Sequence, residues 1–269
     1  MLFSKYQGAG NDFILIDDRA GSFPIGNIRF VQKLCSRRFG IGADGLVLLQ
    51  HSSTADFRMR IFNLDGSEAS MCGNALRCLV LFLHEIGIVR DFFQIETFAG
   101  VFLCTKKADN HVVVEFPIPK SLYQEVDLKG FFPHSIHVVD SGVPHAVIFV
   151  KDLETVGVES WGRFVRMHPV FAPEGVNVNF IQIDRQGDLC IRTYERGVEG
   201  ETLACGTGAI AAAFVFFEQT GHLGSLKILP RSGEAFICSR CEDPLKGLEI
   251  SGRAAFVFSG VADSYYLNS

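Results

Sequence analysis

Two short segments, half a chain apart, carry the same signature. Glu68-x-x-x-Cys72-Gly73-Asn74 stands in the first half of this 269-residue sequence and Glu201-x-x-x-Cys205-Gly206-Thr207 in the second, the second cysteine falling 133 residues after the first. Each opens an apolar run, Ala75–Leu83 in one case and Ala209–Phe217 in the other. The pattern predicts helices from Gly73 to about Ile86 and from Gly206 to about Gln219, with Gly87 and Gly221 as stop signals. A helix that is apolar on nearly every face has to be surrounded. This requirement, met twice, restricts the chain to two related halves, each built around a buried helix.

The surrounding material is β-rich. Short runs bounded by Gly, Pro, Asp or Asn read as strands at Phe13–Asp17, Leu46–Gln50, Phe57–Phe62, Val101–Cys104, Val112–Phe116, Ala146–Val150, Asn177–Ile183, Leu189–Tyr194, Leu226–Leu229, Ala235–Cys238 and Ala254–Phe258. The expected class is α+β: two pseudo-symmetric β-rich halves, each a curved sheet wrapped around its central helix, with the active site in the cleft between them. The halves are drawn as residues 1–117, carrying Cys72, and 118–269, carrying Cys205. The join falls at Pro117–Ser121 or the loop after it, and the last strand, at about 259–269, is free to pack back on the first half.

Composition narrows the partners. A formal charge of −5 with scattered basic residues argues against a nucleic-acid or anionic-membrane surface and points to a small molecule. Met1–Tyr6 shows no secretory pattern and no apolar run reaches the ~20 residues of a membrane helix, so a cytoplasmic protein is expected. Eight cysteines then read as reduced thiols. Cys238-x-x-Cys241 is the one CxxC and lacks a second pair, so no metal is assigned. Cys35, Cys78, Cys104 and Cys190 are most simply core side chains.

Cys72 and Cys205 are different. A cysteine at a helix N-terminus meets free backbone N–H groups and the positive end of the dipole, which favour the thiolate. The alternative for either one alone is a buried structural thiol. Two in matching contexts suit a pair of acid/base groups, one taking a proton from a carbon and the other returning one to the opposite face. Deprotonating an amino-acid α-carbon throws charge onto its carboxylate, and the N–H groups of Gly73-Asn74 and Gly206-Thr207 are suited to hold it. Neither a Gly-rich phosphate loop nor a Schiff-base lysine motif is evident, which argues against pyridoxal phosphate. No cofactor is assigned.

Several further segments carry a resemblance. Lys5–Phe13, Gly40–Gly45, Phe62–Glu68, Met71–Asn74, Pro144-His145, Gly175–Phe180, Tyr194–Gly197 and Glu201 with Ala204–Gly208, in this order over nearly the whole chain, resemble the diaminopimelate epimerase family. That resemblance implies a cofactor-independent isomerase interconverting LL- and meso-diaminopimelate in lysine and peptidoglycan precursor synthesis. It implies Cys72 and Cys205 as the acid/base thiols, with His145 and Glu195 tuning them or ordering the site. Asn11, Asn63, Asn74 and Asn177 would bind substrate, with Gly73, Gly206, Thr207, Glu195 and Arg196 completing the pocket. Arg196 offers a planar fork to a distal carboxylate. A homodimer is the family-based expectation for assembly.

The sequence departs from the family pattern twice. Ala75 follows Asn74 where the family usually has glycine, a change that suits a first helical turn. Val143 stands in Gly142-Val143-Pro144-His145 where the family usually has asparagine. It replaces a polar substrate partner with a β-branched apolar group, and relaxed specificity toward glutamate or aspartate follows as an expectation. Competing readings are a proline or hydroxyproline racemase-like isomerase and a catalytically silent amino-acid-binding protein on the same scaffold. A cyclic imino acid has no second charged head for Arg196, and a silent binder has no need of both cysteines in intact motifs. A hydrolase with one nucleophilic cysteine would not use the second.

Overall fold

The computed structural model describes residues 1–126, 128, 135–243 and 246–263. It divides into two compact units, residues 1–114 with 252–269 and residues 115–251. The first begins with β1 (Leu2–Gly8) and β2 (Asn11–Asp17), then α1 (Ile28–Cys35), β3 (Gly45–Gln50), β4 (Phe57–Asn63) and the short β5 (Glu68–Ala69). It continues with α2 (Gly73–Glu85), β6 (Phe92–Thr97), β7 (Gly100–Lys106) and β8 (His111–Phe116). The second holds β9 (Lys120–Val126), β10 (Ile136–Asp140), β11 (Pro144–Phe149), α3 (Val158–Arg166), β12 (Asn177–Ile183) and β13 (Leu189–Glu195). After these come β14 (Gly200–Thr202), α4 (Gly206–Thr220), β15 (Leu226–Leu229), β16 (Phe236–Arg240) and β17 (Leu248–Arg253), and β18 (Ala255–Val261) belongs to the first unit.

The two units repeat one topology. In the first, the order β18-β1-β2-β3-β4-β6-β7-β8 is antiparallel except for the parallel pairs β2–β3 and β4–β6. In the second, β9-β10-β11-β12-β13-β15-β16-β17 is antiparallel except for the parallel pairs β11–β12 and β13–β15. The parallel pairs fall at the same places. Each unit has a short strand, β5 or β14, on the inner antiparallel partner and a helix immediately after it. The expected pseudo-symmetric pair of curved sheets is therefore present, strand for strand. β18, which pairs along β1 from Leu2 to Gln7, fills the place in the first unit that β9 fills in the second. The expected last strand ran to 269, and residues 264–269 lie outside the described residues, as does part of the loop after β9.

The helices explain the curl. α2 packs against β1, β2, β3, β4, β7 and β18, and α4 against β10, β11, β12, β15 and β16. Every residue of α2 from Gly73 to Leu83 is buried, which requires sheet on all sides. α4 ends at Gly221, whose φ of 68° is the left-handed cap that glycine adopts freely. The outer faces are closed by the amphipathic helices. α1 is capped by Asn27, whose side chain accepts from the Phe30 N–H, and buries Phe30, Val31 and Leu34 among Ile14, Ile16, Leu46 and Leu48. α3 packs on β12 and β13, and its Gly162 leaves no room for a methyl, since a Cβ there would lie 2.5 Å from Tyr194 Cβ. Strands covered on both faces read as continuous apolar runs, as Phe13–Ile16 and Leu46–Leu49 do. Among the described residues no helix is long and apolar enough to cross a membrane.

Candidate active site

In the first unit, Cys72 is the N-cap of α2, in extended conformation and half-buried. Its Sγ lies 3.9 Å from Asn11 Oδ1, and Asn74 Nδ2 donates to the same oxygen at 3.4 Å. The direction of both amides is forced. Asn11 Nδ2 donates to Asp44 Oδ2 at 2.7 Å, and a carboxylate can only accept, so Asn11 turns its carbonyl toward the thiol. Asn74 Oδ1 accepts from Arg77, a guanidinium with no exposed surface on the second turn of α2, so Asn74 turns its NH₂ outward. The expected residues Cys72, Gly73, Asn74 and Asn11 thus stand together. Asn63 sits in the exposed turn from β4 to β5, where its amide donates to Ser67 at 3.0 Å.

Behind Asn11 lies an ionic lattice absent from the expected site. Arg37 bridges Asp12, at 2.9 and 2.7 Å, and Asp44, at 2.7 Å, while the buried Lys5 pairs with Asp12 at 2.9 Å. Burial works against the charge on Asp12, but Arg37 and Lys5 outweigh it and hold this carboxyl well below the usual range. The lattice fixes the turn between β1 and β2, with its positive-φ Ala9 and Gly10, against the loop that delivers Asp44.

In the second unit, Cys205 is the N-cap of α4, and its Sγ accepts from the Gly208 N–H at 3.4 Å. Thr207 Oγ1 is also 3.4 Å from this sulfur, and His145 Nε2 is 3.0 Å from Thr207 Oγ1. Removal from water and the hydrogen-bonded Glu195 carboxylate push the Cys205 thiol up, against the donors Thr207 and Gly208 that favour the thiolate. His145 is wholly buried on β11, and burial, aided by Arg196, brings it down to about 3, so the ring is neutral near pH 7. Asn177 pairs with His145 across β11–β12 and accepts from the Arg196 N–H at 2.9 Å. The Arg196 guanidinium reaches the carbonyls of Glu174 and Gly175 at 3.4 and 3.5 Å. His145, Asn177, Glu195, Arg196, Gly206 and Thr207 are thus gathered around Cys205 and its helix. Val143 is half-buried in the turn Ser141–Val143, beside Gly142 with its φ of 109°.

The two glutamates of the repeated signature have the same partner in each unit. Arg60 clamps Glu68 with two parallel bonds of 2.6 and 2.7 Å, and Arg192 clamps Glu201 with two of 2.7 Å. Each arginine stands on the strand before the short one, so the clamp ties the segment entering the helix to the sheet. Such bidentate pairs have a fixed geometry.

The sequence profile of the diaminopimelate epimerase family matches residues 3–118 and 137–244. The diaminopimelate epimerase of Aquifex aeolicus is 41% identical over 97% of this chain and 97% of its own length, and that of Chlorobaculum tepidum is 40% identical over 94% and 98%. The chain belongs to the diaminopimelate epimerase family. It is therefore an isomerase of the epimerase and racemase type, from a family that serves lysine and peptidoglycan precursor synthesis.

Solved structures share the fold of this epimerase-family chain at much lower identity. A Bacillus anthracis phenazine biosynthesis protein of the PhzF family superposes with a TM-score of 0.74 at 16% identity, covering 98% of this chain and 99% of its own. A hydroxyproline epimerase from Agrobacterium vitis does so with a TM-score of 0.72 at 16%, covering 97% and 91%. Several residues around the two thiols lie beyond what the motifs assigned: Asp44 and Arg37 behind Asn11, Arg77 behind Asn74, the clamping Arg60 and Arg192, and Asn179 behind His145. The glutamates of the signature were the available signal for the clamps, since a partly buried carboxylate next to a site calls for a cation.

Proposed function

We propose that this chain is a cofactor-independent diaminopimelate epimerase acting by a two-base mechanism, with Cys72 and Cys205 addressing opposite faces of one α-carbon. The observation that carries this reading is the duplication: a cysteine N-cap, held by the same Arg–Glu clamp, in two units of identical topology. One thiolate takes the α-proton and the other thiol delivers its proton from the far side, so the roles are exchanged after each turnover. The N–H groups of Gly73-Asn74 and Gly206-Thr207 receive the charge that develops on the substrate carboxylate. Each well-placed donor is worth about 2.7–4 kcal/mol of barrier in comparable sites. Arg196 takes the distal carboxylate, with Asn11, Asn63 and Asn177 as amide partners and Glu195 beside Cys205. The enzyme would act in the cytoplasm as a homodimer, supplying meso-diaminopimelate, and light scattering on the purified protein measures the assembly.

The test is proton NMR of LL-diaminopimelate with reduced protein in D₂O, without added cofactor. Loss of the α-proton signal with appearance of the meso isomer is expected, and no exchange from folded, reduced protein refutes the reading. Specificity is the finer part. Val143 offers no hydrogen bond where a polar side chain would meet the distal ammonium, a loss of about 1.5–3 kcal/mol of discrimination. Racemisation of glutamate or aspartate is therefore proposed as a side activity. Undetectable glutamate turnover, together with unchanged diaminopimelate turnover in Val143→Asn, removes that part alone.

A further inference from the structure

We propose that Asn179 is a positioning residue that sets where protons lie around the Cys205 sulfur, acting through His145 and Thr207. The inference rests on Cys205 serving as an acid/base group. Asn179 lies on β12, has no exposed surface, and belongs to none of the substrate contacts assigned above. Its Nδ2 is 2.9 Å from His145 Nδ1 and 3.3 Å from the Ala146 carbonyl, and its Oδ1 accepts from Thr193 Oγ1 at 3.0 Å.

These distances fix a chain of directions. The Ala146 carbonyl can only accept, so the amide must turn its NH₂ that way, and the same NH₂ meets Nδ1 of His145. Nδ1 is thereby an acceptor and bare. The neutral imidazole then carries its proton on Nε2, which donates to Thr207 Oγ1. Having accepted that bond, the threonine hydroxyl has its own proton free to point at Cys205 Sγ. Thr207 cannot drift, because its carbonyl accepts from the buried Ser141 hydroxyl at 2.9 Å. Two donors, the Thr207 hydroxyl and the Gly208 N–H, therefore converge on the sulfur from α4, while the Glu195 carboxylate on β13 stands as an acceptor. Arg196 is the charged group facing His145, and it disfavours an imidazolium there.

The consequence is a sulfur with a donor side and an acceptor side. As thiolate, Cys205 is met by the hydroxyl that Asn179 has aimed; as thiol, it keeps its proton and donates a hydrogen bond to the Glu195 carboxylate. His145 in this arrangement is a neutral link and takes no proton from the thiol. An acceptor in place of the Asn179 amide would place the imidazole proton on Nδ1, leave Nε2 to accept from the Thr207 hydroxyl and leave the thiolate one donor short.

Two measurements on the full-length reduced protein test this without using turnover. In protein labelled with ¹⁵N-histidine, with the signal assigned by His145→Gln, His145 is expected to show a proton on Nε2 and a bare Nδ1 at pH 7. A proton on Nδ1, or an imidazolium, overturns the proposal. The second reads the pH dependence of iodoacetamide alkylation at the Cys205 and Cys72 peptides by mass spectrometry, in the wild type, Asn179→Ala and Asn179→Asp. Loss of one charge-assisted donor is expected to raise the Cys205 midpoint by about one pH unit, a tenfold change at fixed pH, with Cys72 unmoved. An unmoved Cys205 midpoint, or equal shifts at both cysteines, overturns it. If Asn179→Ala does not fold, the wild-type histidine spectrum still decides. A protein with the expected tautomer and midpoints but no α-proton exchange would refute the epimerase reading and leave the relay standing.

Discussion

Gly208 is the residue whose substitution most directly probes how tightly the Cys205 environment is built. A methyl group added there would lie 2.3 Å from Asn179 Oδ1 and 3.3 Å from both Asn179 Cγ and Cys205 Cβ. The first distance is far inside any real carbon–oxygen contact, and Asn179 has nowhere to go, being bonded to His145, Ala146 and Thr193. Alanine in a helix is worth about 0.8–1 kcal/mol over glycine. Against this stand overpacking, about 1–3 kcal/mol, and the disturbed bonds of Asn179, about 1 kcal/mol each. With one to three of those bonds disturbed, Gly208→Ala is expected to destabilise by about 1–5 kcal/mol net. Asn179→Ala alone costs about 2–4 kcal/mol, through the buried partners it strands. In the double variant the clash has no object, so the two costs must not add. A coupling of at least about 1.5 kcal/mol is expected. Calorimetry on reduced protein reads it, at about 2–4 °C of melting temperature per kcal/mol. Additivity within about 0.5 kcal/mol, or a Gly208→Ala protein as stable as the wild type, would show that the pocket behind Cys205 is not packed as described.

Glu68→Gln and Glu201→Gln each leave a largely covered arginine with one good bond in place of two, and each is expected to cost about 1–3 kcal/mol of stability. Because the clamps hold the chain entering each helix and touch no assigned substrate group, kcat is expected to fall about 10- to 100-fold with KM little changed; a pure KM effect contradicts the positioning role. His145 gives a pH signature. Its folded pKa of about 3 lies below the unfolded value of about 6.5, so below pH 6.5 the unfolded chain binds the extra proton and stability falls with pH, by up to about 1.4 kcal/mol per unit. Urea midpoints between pH 6.5 and 4.5 are expected to fall more steeply in the wild type than in His145→Gln. Asp12→Asn removes the counter-charge of the buried Lys5, which keeps the Gly42 carbonyl as acceptor, and is expected to cost about 2–3 kcal/mol, less than a fully buried pair because Asp12 is one-fifth exposed. It should also flatten the acid limb below pH 4, where a carboxyl with a depressed pKa loses its stabilising charge; an unchanged acid limb would show that the lattice is not holding Asp12 ionised.

Legibility in the sequence followed how much of the physics is local. α2 and α4 were readable because a helix apolar on every face permits one kind of surroundings, and the strands between Gly, Pro and Asp boundaries were readable from composition. α1 and α3 carry no such signal. They are eight and nine residues long, and their charged outer faces resemble loop sequence until the sheet beneath supplies the partner for Phe30 or Val165. Strands such as β6, β10 and β17 interrupt their buried positions with half-buried or exposed ones at every second or third place, and so lack the continuous apolar run that marks β2 or β3. Around the thiols, residues within a motif were readable and residues beneath it were not. Asn11 is in the first motif, but the reason its carbonyl faces Cys72 is Asp44, thirty-three residues later. Asn179 was visible only as part of Gly175–Phe180, because its contacts to His145 and Thr193 exist only once β11, β12 and β13 are side by side.

The two thiols share a scaffold and differ in what faces the sulfur, and the difference bears on the proposed chemistry. Cap, clamp and helix are repeated: Cys72 with Glu68 and Arg60, Cys205 with Glu201 and Arg192. The next layer is not. Cys72 faces an amide oxygen that Asp44 has turned toward it, an acceptor suited to a thiol proton. Cys205 is met by two donors and one carboxylate, so either protonation state finds a partner. A strictly symmetric pair would hold two equal thiols and would leave which one is charged to chance. An epimerase, unlike a racemase, need not treat its two substrates alike, since LL- and meso-diaminopimelate are not mirror images. Unequal surroundings for the two sulfurs are compatible with that proposed task.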